Sequence, residues 1–169
     1  MPRLLGLVEM QHIVSVADMK VSSTPGDILI TYALGSCLGI AIHDPVAGVG
    51  GLLHVMLPLS TIDIEKAEEN PYMFVDTGVP RLFIECYKAG ARKRRLMVKA
   101  AGGASSQGNE SKDYFQIGKR NITMLNRLLW KNNVMLKAQD IGGSQSRTMS
   151  LEIGSGIVRV RAKGETKEL

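Results

Sequence analysis

From Ile28 to Leu34, and again from Leu38 to His43, almost every position is apolar, and each run is too short for a helix but long enough to cross a sheet once. The pattern predicts two buried strands joined through Gly35-Ser36-Cys37, with Ser23-Thr24-Pro25-Gly26-Asp27 as the turn before the first. Asp44-Pro45-Val46-Ala47-Gly48 is a turn by its Pro and Gly chemistry, and Gly51 to Leu57 returns from it, closing a hairpin. From Thr77 the period changes: Val79, Leu82, Phe83, Cys86 and Tyr87 recur at helical spacing. Pro80 is tolerated in the first turn and Gly90 stops the helix, which puts Cys86 on its buried face. Arg95 to Ala101 is a further strand, running into the glycine-rich segment Gly102-Gly103-Ala104-Ser105-Ser106-Gln107-Gly108. A second helix covers Gly118 to Lys131 with Leu125, Leu128 and Leu129 inward, ended by Asn132-Asn133. Strands follow at Val134 to Gln139, in the alternation of Met149, Leu151 and Ile153 with Thr148, Ser150 and Glu152, and at Ile157 to Arg161 after a Gly154-Ser155-Gly156 turn.

This switching between period 2 and period 3.6 predicts a mixed α/β class, with helices long enough to cover a sheet face. No Pro/Gly/Ser-rich stretch splits the chain, so residues 1–169 read as a single domain. A 44% hydrophobic, 22% charged composition is that of a soluble globular protein. The apolar run Leu4-Leu5-Gly6-Leu7-Val8 is too short for a signal-peptide core or a membrane span, so no membrane insertion and a cytoplasmic location are expected. Cys37 and Cys86 make no disulfide framework or zinc ribbon and are expected to be reduced thiols. The net charge of +5 draws on Lys88, Arg92, Lys93, Arg94 and Arg95. With aromatics at 5% and none interleaved with that cluster, it reads as a solvated turn rather than a nucleic-acid patch, and an acidic protein partner is compatible with it.

The candidate chemistry lies on the hairpin. A two-residue loop at Pro45-Val46 sets His54 opposite Cys37, and a loop one residue longer sets it opposite Leu38. Either register brings a thiol and an imidazole together, with Gly35-Ser36 in front of Cys37 as a tight turn able to offer backbone N–H groups to an oxyanion. A free thiol is only about 3% thiolate at pH 7, and an imidazolium that lowered its pKa to about 6 would raise that to roughly 90%. His43 stands six residues from Cys37, roughly 20 Å at strand rise, which argues against a Cys37/His43/His54 metal site. Spacing by itself leaves open that Cys37 is a small buried hydrophobe and His54 a satisfied core histidine.

Leu34-Gly35-Ser36-Cys37, Asp44-Pro45, Gly50-Gly51 and His54-Val55-Met56-Leu57-Pro58 together resemble the signature of the CheD family of chemoreceptor glutamine deamidases. Gly102-Gly103-Ala104, Ile117-Gly118-Lys119-Arg120-Asn121, Asp140-Ile141-Gly142-Gly143 with Arg147, and Gly156-Ile157-Val158-Arg159-Val160 continue the resemblance in order and spacing, from about residue 20 to 162. It implies a layered sandwich of mixed β-sheets flanked by helices, similar to the deamidase domain of cytotoxic necrotizing factor. It also implies a catalytic set of Cys37, His54 and Thr31, the threonine orienting the imidazole. Gly35 and Ser36 would form the oxyanion turn, and Gly102, Gly103, Ala104 and Ser105 the substrate groove. Ser105 stands where the family pattern has Asn, and Ser146 where it has Gly. The implied activity is hydrolysis of glutamine side chains on the cytoplasmic helices of methyl-accepting chemotaxis receptors by a monomer, without metal or cofactor. The phosphatase CheC is the further implied partner, and receptor methylesterase activity would use the same chemistry. A non-catalytic module docking on that phosphatase or receptor, and another thiol hydrolase on the same scaffold, are the alternatives.

Overall fold

Residues 8–105 and 115–169 are described by the structure, a computed structural model. Leu4 to Leu7 of the N-terminal apolar run and Ser106-Gln107-Gly108 of the glycine-rich segment lie outside the described residues. Ten strands and three α-helices follow in chain order among those described. They are β1 (Met10–Ile13), β2 (Asp18–Ser22), β3 (Asp27–Leu34), β4 (Leu38–Asp44), β5 (Val49–Val55), α1 (Ile64–Glu69), α2 (Val75–Lys88), β6 (Met97–Gly102), α3 (Ile117–Lys131), β7 (Leu136–Ile141), β8 (Arg147–Glu152), β9 (Val158–Ala162) and β10 (Glu165–Glu168).

The strands form two five-stranded sheets, ordered β1-β3-β8-β9-β10 and β2-β5-β4-β6-β7. Each is mixed, with one parallel pair, β1 with β3 in the first and β6 with β7 in the second, and the other pairs antiparallel. One face of the second sheet carries Leu38, Ile40, Ile42, Leu53 and Val55 and packs against Val79, Leu82 and Cys86 of α2 and Leu125 and Leu129 of α3. Its other face carries Ala41, Leu52 and Ala101, which meet Leu29, Leu34, Met149 and Leu151 of the first sheet. The layers are therefore sheet, sheet, helices. β4 and β5 are buried on both faces, which is why their sequences run apolar without alternation, whereas β8 buries every second residue and alternates. Each fully buried Leu or Ile in these layers contributes roughly 1.5–3 kcal/mol relative to exposure.

Several boundaries differ from the sequence pattern. α2 starts at Val75 rather than Thr77, because Leu57 bridges to Phe74 and the Val75 N–H donates to the Leu57 carbonyl, so Pro80 falls in the second turn rather than the first. Lys93–Arg95 is a 3-10 turn, and Arg95 leaves the strand to pair with Asp44, so β6 begins at Met97. β1, β10 and α1 carried no periodic signal: they are edge strands or a six-residue helix, half-buried or exposed, where packing imposes little pattern. β2 does alternate, Met19 and Val21 packed on the core and Asp18, Lys20 and Ser22 between them, but over only five residues. No described helix is long and apolar enough to cross a membrane.

Candidate active site

Thr31, Cys37 and His54 reach one place because β3 belongs to one sheet and β4 and β5 to the other, and the two sheets pack face to face. The chain passes between the sheets at Gly35-Ser36-Cys37. Strict alternation along β3 would turn Leu34 outward if Thr31 pointed in. The ladder with β8 shifts by one residue between Thr31 and Leu34, with Ala33 in the left-handed region at φ 58°, and the shift buries both side chains completely. A three-residue turn follows, the Gly35 N–H donating to the Ala33 carbonyl at 3.0 Å.

The hairpin closes with neither of the expected loops. Asp44 pairs with Val49, leaving a four-residue turn from Pro45 to Gly48, and His54 faces Gly39. The physical reason is the Asp44 side chain, whose Oδ1 accepts the N–H groups of Val46 and Ala47 at 2.9 and 3.0 Å. The Gly48 N–H reaches back to the Asp44 carbonyl at 2.9 Å with Gly48 at φ 66°. Relative to the two-residue loop the register moves by an even number of residues, so His54 keeps the face shared by Cys37 and Gly39. The two side chains are a diagonal pair, Cβ atoms roughly 7 Å apart, rather than a facing one. Gly39 opposite His54 has no room for a side chain, since a Cβ there would press on Met149 and Leu34.

His54 and Thr31 are fully buried, whereas Gly35, Ser36 and Cys37 are half-buried at the end of the strands. The Thr31 hydroxyl donates its only proton to the Val14 carbonyl at 2.7 Å and lies 2.7 Å from His54 Nδ1. With that proton committed, Thr31 Oγ1 can only accept from the ring, so Nδ1 carries the hydrogen and Nε2 is left with a lone pair. Nε2 is buried and has no hydrogen-bond partner among the described residues, Cys37 included. Burial drives the His54 pKa down from 6.5 to about 4. Burial also pushes the Cys37 thiol up, against a smaller opposite pull from its own backbone N–H. Both effects favour neutral groups at pH 7, so the resting pair is a thiol beside a neutral imidazole rather than the thiolate and imidazolium that spacing suggested.

The carbonyls of the Cys37 turn are all held. Gly35 O accepts from the Ala104 N–H at 2.8 Å, Cys37 O from the Gly103 N–H at 2.9 Å, and Ser36 O from Asn121 Nδ2 at 3.0 Å. Gly102, at φ 115°, lies so close to the Cys37 carbonyl that any Cβ would collide with it. Arg147 supports this segment from behind, donating to the carbonyls of Gly142 at 2.8 Å and Gly102 at 3.4 Å beside Asp140 at 3.3 Å. Gly102, Gly103 and Ala104 are thus buried and face the turn through their backbone, while Ser105 is half-buried with its N–H on the Gly143 carbonyl. The residue without an assigned role in the sequence pattern is Asn121. Its signal was there: on α3 it shares the face of Leu125 and Leu129, a polar residue in an apolar stripe at i, i+4, i+8.

His43 and Cys86 lie elsewhere. His43 Nε2 donates to the Ile153 carbonyl at 2.8 Å near the far end of β4, and Cys86, its thiol pushed up to about 12 chiefly by burial, faces the second sheet from α2. Among the described residues no group of His, Cys, Asp and Glu is arranged to hold a metal ion.

Comparison with known proteins gives a family model, described as CheD chemotactic sensory transduction, that matches residues 56–162. A Syntrophus aciditrophicus protein named "Probable chemoreceptor glutamine deamidase CheD 1" is 51% identical over 152 residues, 90% of this chain and 94% of that protein. A Solibacter usitatus protein named "Probable chemoreceptor glutamine deamidase CheD" is 50% identical over 94% of this chain and 93% of its own length. Among solved structures, the Neisseria meningitidis protein NMB0706 of family model DUF152 matches at TM-score 0.47 and 8% identity, covering 80% of this chain and 64% of that one.

Proposed function

This chain belongs to the CheD family, and on that premise we propose that it hydrolyses glutamine side chains of chemoreceptors to glutamate, with Cys37 as nucleophile and His54 as base. The observation that carries the reading is the His54 ring: Nδ1–H is committed to Thr31, and Nε2 is a buried, unpartnered lone pair on the face shared with Cys37. A histidine serving only the core would have both nitrogens satisfied, as buried polar atoms nearly always are.

In the proposed reaction His54 Nε2 takes the Cys37 thiol proton as Sγ bonds to the glutamine Cδ, and the carbonyl π electrons move to oxygen. The oxyanion is held by the N–H of Cys37, with that of Ser36 beside it. Collapse breaks the C–N bond, and the proton on Nε2 goes to the departing nitrogen, which leaves as ammonia. Water then attacks the thioester, giving its proton to Nε2. The C–S bond breaks, the thiol is reprotonated, and glutamate is released. Starting from neutral groups suits this cycle, since one proton shuttles through Nε2 and no separated charge is left buried at rest. Thr31, by accepting from Nδ1–H, holds the ring in the tautomer that both steps need.

The proposal takes residues 1–169 as one cytoplasmic domain, similar in fold to the cytotoxic necrotizing factor deamidase domain. Its substrate is the cytoplasmic helices of methyl-accepting receptors. Receptor methylesterase activity through the same thioester, and association with the phosphatase CheC, are part of it. Lys119, Arg120 and Arg127 line a groove with Pro58 and Leu59 just beyond β5, and in this reading they are the cations that would meet acidic side chains of a receptor helix. The cluster at Arg92–Arg95 sits instead at the Asp44 end of β4, with Arg95 tied to that carboxylate. The test is incubation with a purified receptor cytoplasmic fragment, reading glutamine-to-glutamate conversion by peptide mass spectrometry beside a Cys37→Ala control. Conversion by the wild type alone is expected. Binding without conversion would favour a docking module, and conversion surviving Cys37→Ala would remove the thiol mechanism.

A further inference from the structure

Two of the three bonds that hold the Cys37 turn come from backbone, at Gly103 and Ala104. The third comes from a side chain. Asn121 spends one Nδ2 hydrogen on the Ser36 carbonyl at 3.0 Å and the other on the Met56 carbonyl at 3.0 Å, two residues beyond His54. Both neighbours are acceptors, so the amide can be oriented only with its nitrogen toward them. Asn121 is fully buried, and its Oδ1 has no partner among the described residues. Stranding that oxygen in the interior costs free energy that an apolar residue on the same helix face would not incur. The cost makes sense if the two carbonyls need holding for a purpose beyond packing.

In a planar trans peptide the carbonyl and the following N–H point in opposite directions. Fixing the Ser36 carbonyl toward α3 therefore fixes the Cys37 N–H away from α3, and among the described residues no other residue accepts that N–H or the Ser36 N–H, the Cys37 N–H meeting only its own thiol. We infer that Asn121 is a positioning residue for the reaction: by gripping the Ser36 carbonyl it aims the Cys37 N–H at the oxygen of the tetrahedral intermediate, and by gripping the Met56 carbonyl it locks that donor in register with His54. The inference rests on the thiol mechanism proposed above and adds the element that sets its oxyanion donor. Removing Asn121 lets the Ser36–Cys37 peptide rotate, so the donor loses its aim while the thiol and imidazole stay where the sheets put them.

The experiment compares wild type with Asn121→Ala in three measurements. The first is kcat and KM for ammonia release from a receptor cytoplasmic fragment. The second is the Kd of a peptide carrying the aldehyde analogue of glutamine, to which Cys37 Sγ adds as the carbonyl π electrons move to oxygen and the thiol proton passes to His54 Nε2, leaving an alkoxide where the tetrahedral intermediate has its oxyanion. The third is the rate of Cys37 alkylation by iodoacetamide from pH 6 to 10, which uses the nucleophile and base but forms no oxyanion. The expected result is a kcat lower by about 10- to 100-fold with KM within about threefold, an aldehyde Kd weaker by a similar factor, and alkylation and its pH profile within about twofold. Asn121→Ser, which keeps a donor in a smaller side chain, should fall between the two and serves in place of Asn121→Ala should the latter not fold. Equal losses in all three measurements would make Asn121 a structural prop and overturn the inference, as would unchanged kcat and aldehyde affinity. Wild type that captures the aldehyde but leaves the receptor fragment untouched removes the proposed substrate, and the aldehyde and alkylation measurements still decide the role of Asn121.

Discussion

The two ends of β4 carry polar groups under opposite regimes. At one end Asp44 is fully buried, and its carboxylate accepts the N–H groups of Val46, Ala47 and Arg92 together with the Arg95 side chain. Burial works against that charge, yet Arg95 and the three N–H groups outweigh it and hold the carboxyl well below the usual range. At the other end the N–H groups of Ser36 and Cys37, Nε2 of His54 and Oδ1 of Asn121 are hydrogen-bonded to no other residue among those described. Each belongs to a group whose remaining polar atoms are firmly engaged. Two of the three histidines repeat the contrast, His43 satisfied on the Ile153 carbonyl and His54 open at Nε2. Saturated polar groups fix the fold. Open ones, held still by saturated neighbours, are what a reacting molecule can complete.

The largest separation between the ends comes from two substitutions. Cys37→Ala is expected to lower ammonia release more than about 1,000-fold with little change in thermal stability. Asp44→Ala should do the reverse, costing about 3 kcal/mol or more by leaving Arg95 and the turn without their acceptor, while turnover per folded molecule stays within about twofold. Denaturant titration beside ammonia assays checks both, and a large turnover loss in folded Asp44→Ala would break the contrast.

Next comes pH. His54 has a folded-state pKa of about 4 against 6.5 in the unfolded chain, so between those values the unfolded chain binds a proton that the folded one refuses. The stabilising contribution is present above pH 6.5 and is lost as pH falls through about 4, on the order of 3 kcal/mol in all. His54→Gln should remove that slope from stability measured between pH 4 and 7. In the wild type the acid limb of kcat/KM should lie well below pH 6, since the base is already neutral there. A limb at 6.5 would mean that His54 titrates as if exposed.

Thr31→Val is smaller, because it removes only the orienting contact. It leaves Nδ1–H and the Val14 carbonyl without partners, with an expected 10- to 100-fold loss of kcat and about 1–3 kcal/mol of stability. A Thr31→Ser variant that restores kcat would locate the effect in the hydroxyl. The smallest effect belongs to Ala33→Gly, which relieves a left-handed alanine at the β3 bulge and should shift stability by less than about 1 kcal/mol with activity unchanged.

The strands of the inner layers were legible because burial on both faces leaves only apolar residues, and the long helices because one stripe must face the sheet. The edge strands β1 and β10 were not, since little packs on them to select a pattern, and β2, whose Met19 and Val21 do face the core, is too short for its alternation to stand out. The cysteine and histidine of the site were visible through their spacing and the ordered motifs around them. The hairpin register was not, because it turned on which N–H groups the Asp44 side chain would cap.

What the sequence determined by itself is local and periodic: a mixed α/β chain, a thiol at a glycine-serine turn, an imidazole on the returning strand, and the family motifs in order. Tertiary structure alone decided the rest. Thr31 lies in a different sheet from His54, and Asn121 on a helix far along the chain, so only the packing of sheet on sheet and helix on sheet brings their hydrogen bonds to the ring and the turn. The same packing took the water away and made thiol and imidazole neutral, reversing the charge state that spacing suggested, because desolvation depends on what surrounds a group and not on its neighbours in sequence.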